Sequence, residues 1–410
     1  MELFDDLEDF GAFDDAVSGD VRDPYTEMAR LRREEGIQRI DMSVMPGEEG
    51  KPLFIVYRHE DIATMLRDNE TFSSAIVIQA FGEVLGKRVM LGMDEPEHGR
   101  HRALVSKAFS QKALARWEEN LVGRVGNELI DGFAGSSLIA GSAGSGSVDL
   151  VKDFTFPYPT RIIARLLGLP EEDYPQFQRW SISLLSFTIN PERGKAASKA
   201  LEEYFAPILA ARRADPQDDL ISSLAVAEID GEKLDDDEIF SFLRLLLPAG
   251  VETTYRSLGN LLLGLLTHPH QLDAVRADRS LIPQAIEEAV RWEAPLLTIT
   301  RVAAHDTVLG GVHIPAGSSV MPMLGAANRQ DDRYPDPDRF DIYRAARTPI
   351  SWGHGAHVCL GMHLARLEMR VALNLLFDRL PNLRLDPAAA DPHIRGQVFR
   401  SPTALPVLFG

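Results

Sequence analysis

Residues 351–361 read SWGHGAHVCLG, and the fold turns on this stretch. Gly353, Gly355 and Gly361 relax the φ restrictions that a Cβ imposes, so the segment reads as a tight loop. It runs straight into LGMHLARLEMRVALNLLFDRL (360–380), whose Leu364, Leu367, Val371 and Leu375 share one helical face. Cys359 therefore stands just before a helix N-terminus, where backbone N–H groups and the helix dipole favour a thiolate. Its sulfur is placed to act as an anionic ligand or a nucleophile. Taken alone, the loop leaves other readings open. One cysteine beside a helix start is more often packing than chemistry. His354, His357 and His363 spell H-x-x-H-x-C-x-x-x-H, a zinc-like spacing, although structural zinc sites usually present paired cysteines. A Cys–His hydrolase would need a partner histidine that spacing does not identify.

Cys359 is the single cysteine of 410 residues, so no intramolecular disulfide forms and nothing points to an oxidising compartment. The chain is 45% hydrophobic, 25% charged and 8% aromatic, which excludes disordered, collagenous and coiled-coil classes. Lys and Arg number 43 against 61 Asp and Glu, a net charge of −18, and this argues against a nucleic-acid-binding surface. The opening MELFDDLEDF lacks the basic and apolar regions of a signal peptide. Apolar stretches such as LRLLLPAGVETT are broken by Arg244, Pro248 and Glu252, well short of the roughly 20 residues a membrane crossing needs. A cytoplasmic protein without membrane segments is expected.

Upstream of the cysteine loop, DDDEIFSFLRLLLPAGVETTYRSLGNLLLGLLTHP (235–269) reads as one helix of about 30 residues. Acids occupy its first turn and Pro269 closes it. Pro248 removes an internal hydrogen bond, Gly250 weakens the next turn, and Glu252 and Thr253 put polar groups into an apolar run. Such local violations are expected at functional sites, although a kinked core helix would look the same here. EAVR (288–291) puts Glu288 and Arg291 at i and i+3, able to pair, and PDRF (337–340) brings Arg339 as a candidate third member. DEPEHGRHR (94–102) places His98 and Arg102 at i and i+4.

The rest of the chain is mostly helical. KPLFIVYR (51–58) reads as a strand and HEDIATMLRDNE as a helix. AIVIQAFGEVLGKRVMLG (75–92) carries three glycines and no clean period, and reads as a long covering loop. AGSSLIAGSAGSGS (134–147) is a low-complexity connector, and TVLGGVHIPAGSSVMPM (307–323) supplies short strands. Small sheets are expected from roughly 35 to 75 and 297 to 325. The organisation expected is an acidic arm over 1–22, with eight acids and no base in its first 20 residues, followed by one large domain over 23–410.

GHGAHVCLG resembles the heme-binding loop of the cytochrome P450 family, F-x-x-G-x-[HR]-x-C-x-G, with Gly355, His357, Cys359 and Gly361 matching and Trp352 where phenylalanine is usual. AGVETT (249–254) is similar to the family's oxygen-binding signature [AG]-G-x-[DE]-T-[TS] in full, and EAVR with PDRF resembles its structural triad. The resemblance implies a mostly α fold with small β-sheets, and an O2-using monooxygenase that carries heme b. It implies Cys359 as the iron's thiolate ligand. Around the heme it implies His98, Arg102, Arg301 and His357 at the propionates, with Ala249, Gly250, Trp352, Gly353 and Gly361 lining it. Glu252 and Thr253 become the catalytic acid and alcohol. The threonine hydroxyl is expected on the Ala249 carbonyl, and Glu252 is expected to swing as a proton relay rather than stay salt-bridged on the helix surface. An apolar small-molecule substrate is expected against Ile78, Phe81, Leu185, Phe187, Leu245, Ala249, Leu297, Ile299, Val398 and Phe399. No flavin or nicotinamide fingerprint is present, so electrons are expected from a ferredoxin and an NAD(P)H-dependent ferredoxin reductase. The donor would dock on a basic patch of Arg100, Lys107, Lys112, Arg116, Arg366 and Arg370. Two alternatives are an H2O2-driven peroxygenase, against which Glu252–Thr253 argues, and a non-catalytic heme sensor, which would not need that pair.

Overall fold

A computed structural model describes residues 19–42, 50–135, 146–188, 190–389 and 391–410. All of the acidic arm but its last four residues, and 136–145 of the low-complexity run, lie outside the described residues. The helices that build the site are α1 (Ile76–Leu85), α2 (Glu97–Ser106), α3 (Gln111–Trp117), α4 (Tyr174–Leu185), α5 (Pro191–Ala214), α6 (Asp236–Leu247), α7 (Thr253–Leu266), α8 (Ile282–Trp292) and α9 (Met362–Arg379).

The two larger sheets are built from β1 (Ile37–Ile40), β2 (Leu53–Val56), β3 (Phe72–Ser73), β4 (Gly146–Asp149), β5 (Arg301–Ala303), β6 (Ser319–Pro322), β7 (Arg384–Leu385) and β8 (Pro406–Phe409). The two regions expected to carry small sheets join in one. Its order is β1-β2-β6-β5-β3, with β2 and β6 parallel and in register from Leu53↔Ser319 to Val56↔Pro322. A second sheet, β7-β8-β4, pairs the last two residues of the low-complexity run with the C-terminal strand. One large apolar core reaches from Val84 to Phe409 and makes the fold a single, mostly helical domain.

The run 235–269 divides where its sequence says it should. Asp235 and Glu238 form a reciprocal capping box that starts α6, and Pro248–Glu252 form a wider π-helical turn before α7 continues to Leu266. The expected covering loop at 75–92 is instead helical over α1, ending at Gly86 with φ +96°. Its apolar period is blurred because α1 is covered on more than one side. Ser198 Oγ of α5 donates to the Val84 carbonyl at 2.6 Å, while Ile78 and Leu85 pack with Val89 and Leu245 of α6.

Candidate active site

The cysteine loop is folded as tightly as its glycines allow. Cys359 N donates to the Trp352 carbonyl at 2.7 Å and Val358 N to the Gly355 carbonyl at 3.1 Å. Gly355 has φ +71°, and a Cβ there would come within 2.4 Å of the Leu66 carbonyl oxygen, so the end of the helix His59–Arg67 leaves no room for a side chain. The loop hangs on a buried scaffold. Glu288 and Arg291 of α8 make a two-pronged ion pair at 2.7 and 2.8 Å. Arg291 also donates to the carbonyls of Asn328, Pro337 and Arg339, and Asn328 holds Ile350 N and Ser351 at the loop's entrance. Arg339 is not the third side chain of this network. It is exposed and contributes its carbonyl, while the guanidinium that reaches Glu288, at 3.4 Å, belongs to Arg344. Spacing could not choose between two arginines five residues apart in the same turn-rich segment.

Cys359 keeps free surface, yet the protein around it is dense enough that burial pushes its thiol pKa up. The N–H groups of Gly361 and Met362 and the charges of Arg102 and Arg366 act the other way. A side chain that is both desolvated and uncovered lines an internal space. Ala249 shows the same contradiction. It is exposed within a helical run whose neighbours Leu247 and Val251 are buried.

Beside the cysteine lies a concentration of basic groups, of which His98 meets Glu95 at 3.3 Å. His98 and His357 stack with ring centroids 4.0 Å apart, and His357 Nε2 meets Ser74 Oγ at 3.1 Å. Arg102 donates to the Val358 carbonyl at 2.6 Å and Arg301 to the Thr300 carbonyl at 3.0 Å. Among the described residues no carboxylate makes an ion pair with Arg102 or Arg301, and Arg301 Nε and His98 Nε2 lack hydrogen-bond partners. Burial pulls Arg301 down to about 10, with Asp94 opposing, and pulls His357 down to about 3, helped by His98 and Arg301. A buried cation such as Arg301 without a carboxylate partner is costly, and a bound anion would offset the cost.

On α7, Thr253 Oγ1 donates to the Ala249 carbonyl at 2.8 Å across the π turn. Glu252 is not swinging free. It is buried at 2% exposure, and its Oε1 accepts from Arg256 Nη2 and Nε, at 2.5 and 2.7 Å, and from the Tyr255 hydroxyl at 3.2 Å. The salt bridge weighed for it is present, inside the protein rather than on the helix surface.

A family model for cytochrome P450 matches residues 42–397. The chain belongs to the cytochrome P450 family. Cytochrome P450 107B1 of Saccharopolyspora erythraea is 37% identical over 98% of each chain. The erythromycin C-12 hydroxylase of the same organism is 38% identical over 87% of this chain and 89% of its own. The ligand-free structure of cytochrome P450 TbtJ1 matches with a TM-score of 0.83 at 34% identity, covering 94% of this chain and 97% of that one. The protein is thus a P450 monooxygenase, acting on small molecules with O2, of a family that carries heme iron. Its residues fit that group: an uncovered cysteine sulfur beside Arg102 and Arg301, which have no carboxylate partner among the described residues, suits a metal and two carboxylates.

Around this P450 centre the expected substrate contacts divide. Ile78 and Leu245 share one small apolar cluster, and the Phe81 and Phe187 rings lie 6.4 Å apart. Leu185 is half-buried against the main core, and Val398 is exposed. Leu297 is a correction. It has no exposed surface and packs on Tyr25, Met28 and Leu31, whereas a residue lining an open space keeps free surface. The extended backbone here alternates faces, so Ile299 also turns to core, beside the large sheet, while Leu296 bridges Phe399. The basic patch is a second correction. Arg100 pairs with Glu238, Arg116 with Asp218, Arg370 with Glu118, and Arg366 with Glu287 while stacking on Trp352. Lys107 donates to the Glu228 carbonyl, and Lys112 is exposed. Residues that the sequence reading did not assign include Ser74, Asp94, Arg256 and Arg344. Asp94 accepts from Ser74 N at 2.8 Å and so helps place the serine under His357. Arg256 was legible as the i+4 partner of Glu252.

Proposed function

We propose that this P450 binds heme b and hydroxylates a largely apolar small molecule, RH + O2 + 2 e− + 2 H+ giving ROH + H2O. The observation that carries the reading is the uncovered Cys359 beside half-buried Arg102 and buried Arg301, neither of which has a carboxylate partner among the described residues. Cys359 would ligate the iron, with Arg102, Arg301, His98 and His357 on the propionates and Ala249, Gly250, Trp352, Gly353 and Gly361 around the ring. Heme ligated by thiolate supplies O2 binding and a push toward O–O cleavage.

The chain's own residues supply protons and shape. The π turn at 248–252 opens a gap in the helix, and Thr253 bridges it by giving its hydroxyl proton to the Ala249 carbonyl, which leaves the hydroxyl oxygen free to accept from water. Glu252, one residue earlier and ion-paired with Arg256, would relay protons from solvent to this water rather than hold one at rest. Ile78, Phe81, Leu185, Phe187, Leu245, Val398 and Phe399 remain the proposed substrate contacts, with Leu296 in place of the core-facing Leu297 and Ile299. A relative named as a C-12 hydroxylase supports oxidation at carbon.

Electrons come from a ferredoxin and an NAD(P)H-dependent reductase. We place the donor on the groove of about 610 Å³ along α9, where Leu114, Ala115 and Pro283 offer apolar surface. Since most bases at that face are paired, docking depends on salt less steeply than a bare basic patch would. Among the described residues no helix is long and apolar enough to cross a membrane, and we assign the enzyme to the cytoplasm, with 1–22 as an arm and 23–410 as its one domain.

The test is the CO difference spectrum of the reduced protein. The far-red-shifted Soret band of a thiolate ligand is expected, and Cys359→His should lose it. A wild-type spectrum without the shift overturns the reading.

A further inference from the structure

Glu252 does not stand alone on its helix. Arg256, 1% exposed, gives Nε and Nη2 to Glu252 and sends its remaining arm, Nη1, to Ser401 Oγ at 3.0 Å. Its guanidinium also lies over the rings of Tyr255 and Phe399, 5.0 and 5.3 Å from their centroids. The far end of this bridge is rigid. Arg400, next to Ser401, donates to the carbonyls of Gly396, Val21 and Arg22 and to Glu293, while Arg395 and Ser401 pair through their backbones. One turn, 395–401, therefore carries two things at once. It carries Val398 and Phe399, two of the proposed substrate contacts, and it holds the arginine that holds the acid.

The planar fork explains why arginine stands here. A lysine could pair with Glu252, but a single ammonium cannot hold a carboxylate and a hydroxyl along two fixed directions while stacking on an aromatic face. Freed from the turn, the Glu252 carboxylate would have several rotamers, and a proton relay works only within hydrogen-bond reach. The Arg256–Ser401 link thus fixes where the acid sits relative to Thr253.

We propose that Arg256 is the positioning residue of the proton relay, anchoring Glu252 to the 395–401 turn through Ser401 and Phe399. The inference rests on the reading of Glu252 as that relay. It ties proton delivery to the same wall that shapes the substrate pocket, so substitutions at Ser401 or Phe399 act on oxygen chemistry as well as on substrate fit.

The experiment needs no physiological substrate or redox partner. The heme-loaded full-length protein oxidises guaiacol with either hydrogen peroxide or iodosylbenzene. Peroxide must be cleaved at its O–O bond with help from an acid, whereas iodosylbenzene delivers an oxygen atom and needs no proton. The readout is the ratio of the peroxide-driven to the iodosylbenzene-driven rate. Arg256→Gln is expected to lower this ratio about tenfold, which is about 1.4 kcal/mol. Glu252→Gln should lower it equally, and the double variant no further, because two residues acting as one unit are not additive. Arg256→Lys should recover part of the loss. Ser401→Ala should lower the ratio less, and should speed amide exchange over residues 394–403, a change visible without turnover. If Arg256→Gln fails to fold, the Ser401→Ala ratio decides alone. Additive losses, equal slowing with both oxidants, or an unchanged ratio in Arg256→Gln or Ser401→Ala overturn the proposal. An unchanged ratio in Glu252→Gln overturns the relay reading itself.

Discussion

Replacing Arg344 by alanine should destabilise this P450 more than replacing Arg339, although PDRF draws attention to the second arginine. The Arg344 side chain is 11% exposed and lies 3.4 Å from Glu288, and it donates to the carbonyls of Pro335, Asp336 and Arg339. Counting roughly 1 kcal/mol for each of the three bonds to carbonyls and about as much for the contact with Glu288, its loss costs about 3–4 kcal/mol. Unfolding entropy averages about 2.1 cal/mol/K per residue, or about 0.9 kcal/mol/K for 410 residues, so Tm should fall about 4 °C. Arg339→Ala removes an exposed side chain with no described partner and should stay within about 0.5 kcal/mol, a shift below about 1 °C. Arg344→Lys should recover about half, since an ammonium replaces the fork with one point charge. Thermal unfolding of the heme-loaded variants by circular dichroism reads the difference. A Tm drop in Arg339→Ala equal to or larger than that in Arg344→Ala would refute the assignment of Arg344 as the third member of the Glu288–Arg291 network.

Two further outcomes are expected. Thr253→Ala should retain heme and substrate binding while hydrogen peroxide formed per NADH consumed rises toward one, and unchanged coupling would remove Thr253 from the proton path. His101 is fully buried, and burial holds its pKa down at about 4, with Glu238 opposing. The unfolded chain takes up this proton near pH 6.5 and the native protein only near 4, so the stabilising contribution is complete above pH 6.5 and is lost as pH falls toward 4. Urea unfolding at pH 7.5 and 5.5 should show His101→Gln losing about 1.4 kcal/mol less than wild type over that interval, and equal losses would contradict the assignment.

How far a residue could be read from the chain depended on how local its physics is. The cysteine loop, the break at Pro248 and the capping box of α6 were legible, because glycine and proline geometry and helix capping act over a few residues. Helix α1 was missed because it buries Gly82 and leaves Phe81 exposed, which blurs the apolar period by which an amphipathic helix is read. Leu297 was misplaced by one residue for a different reason. In extended chain a shift of one reverses the face, and pairing with Phe399, a hundred residues away, selects which face that is.

By itself the sequence determined membership of the cytochrome P450 family, the loop that presents Cys359 and the helical run that carries Glu252 and Thr253, since each rests on spacing within one segment. Which charges meet was decided only by tertiary structure. Arg344 rather than Arg339 reaches Glu288, most of the expected basic patch is neutralised by acids from elsewhere in the chain, and Arg256 ties Glu252 to Ser401. Coulomb and hydrogen-bond partners are chosen within about 4 Å of space, and separation along the chain does not encode that distance.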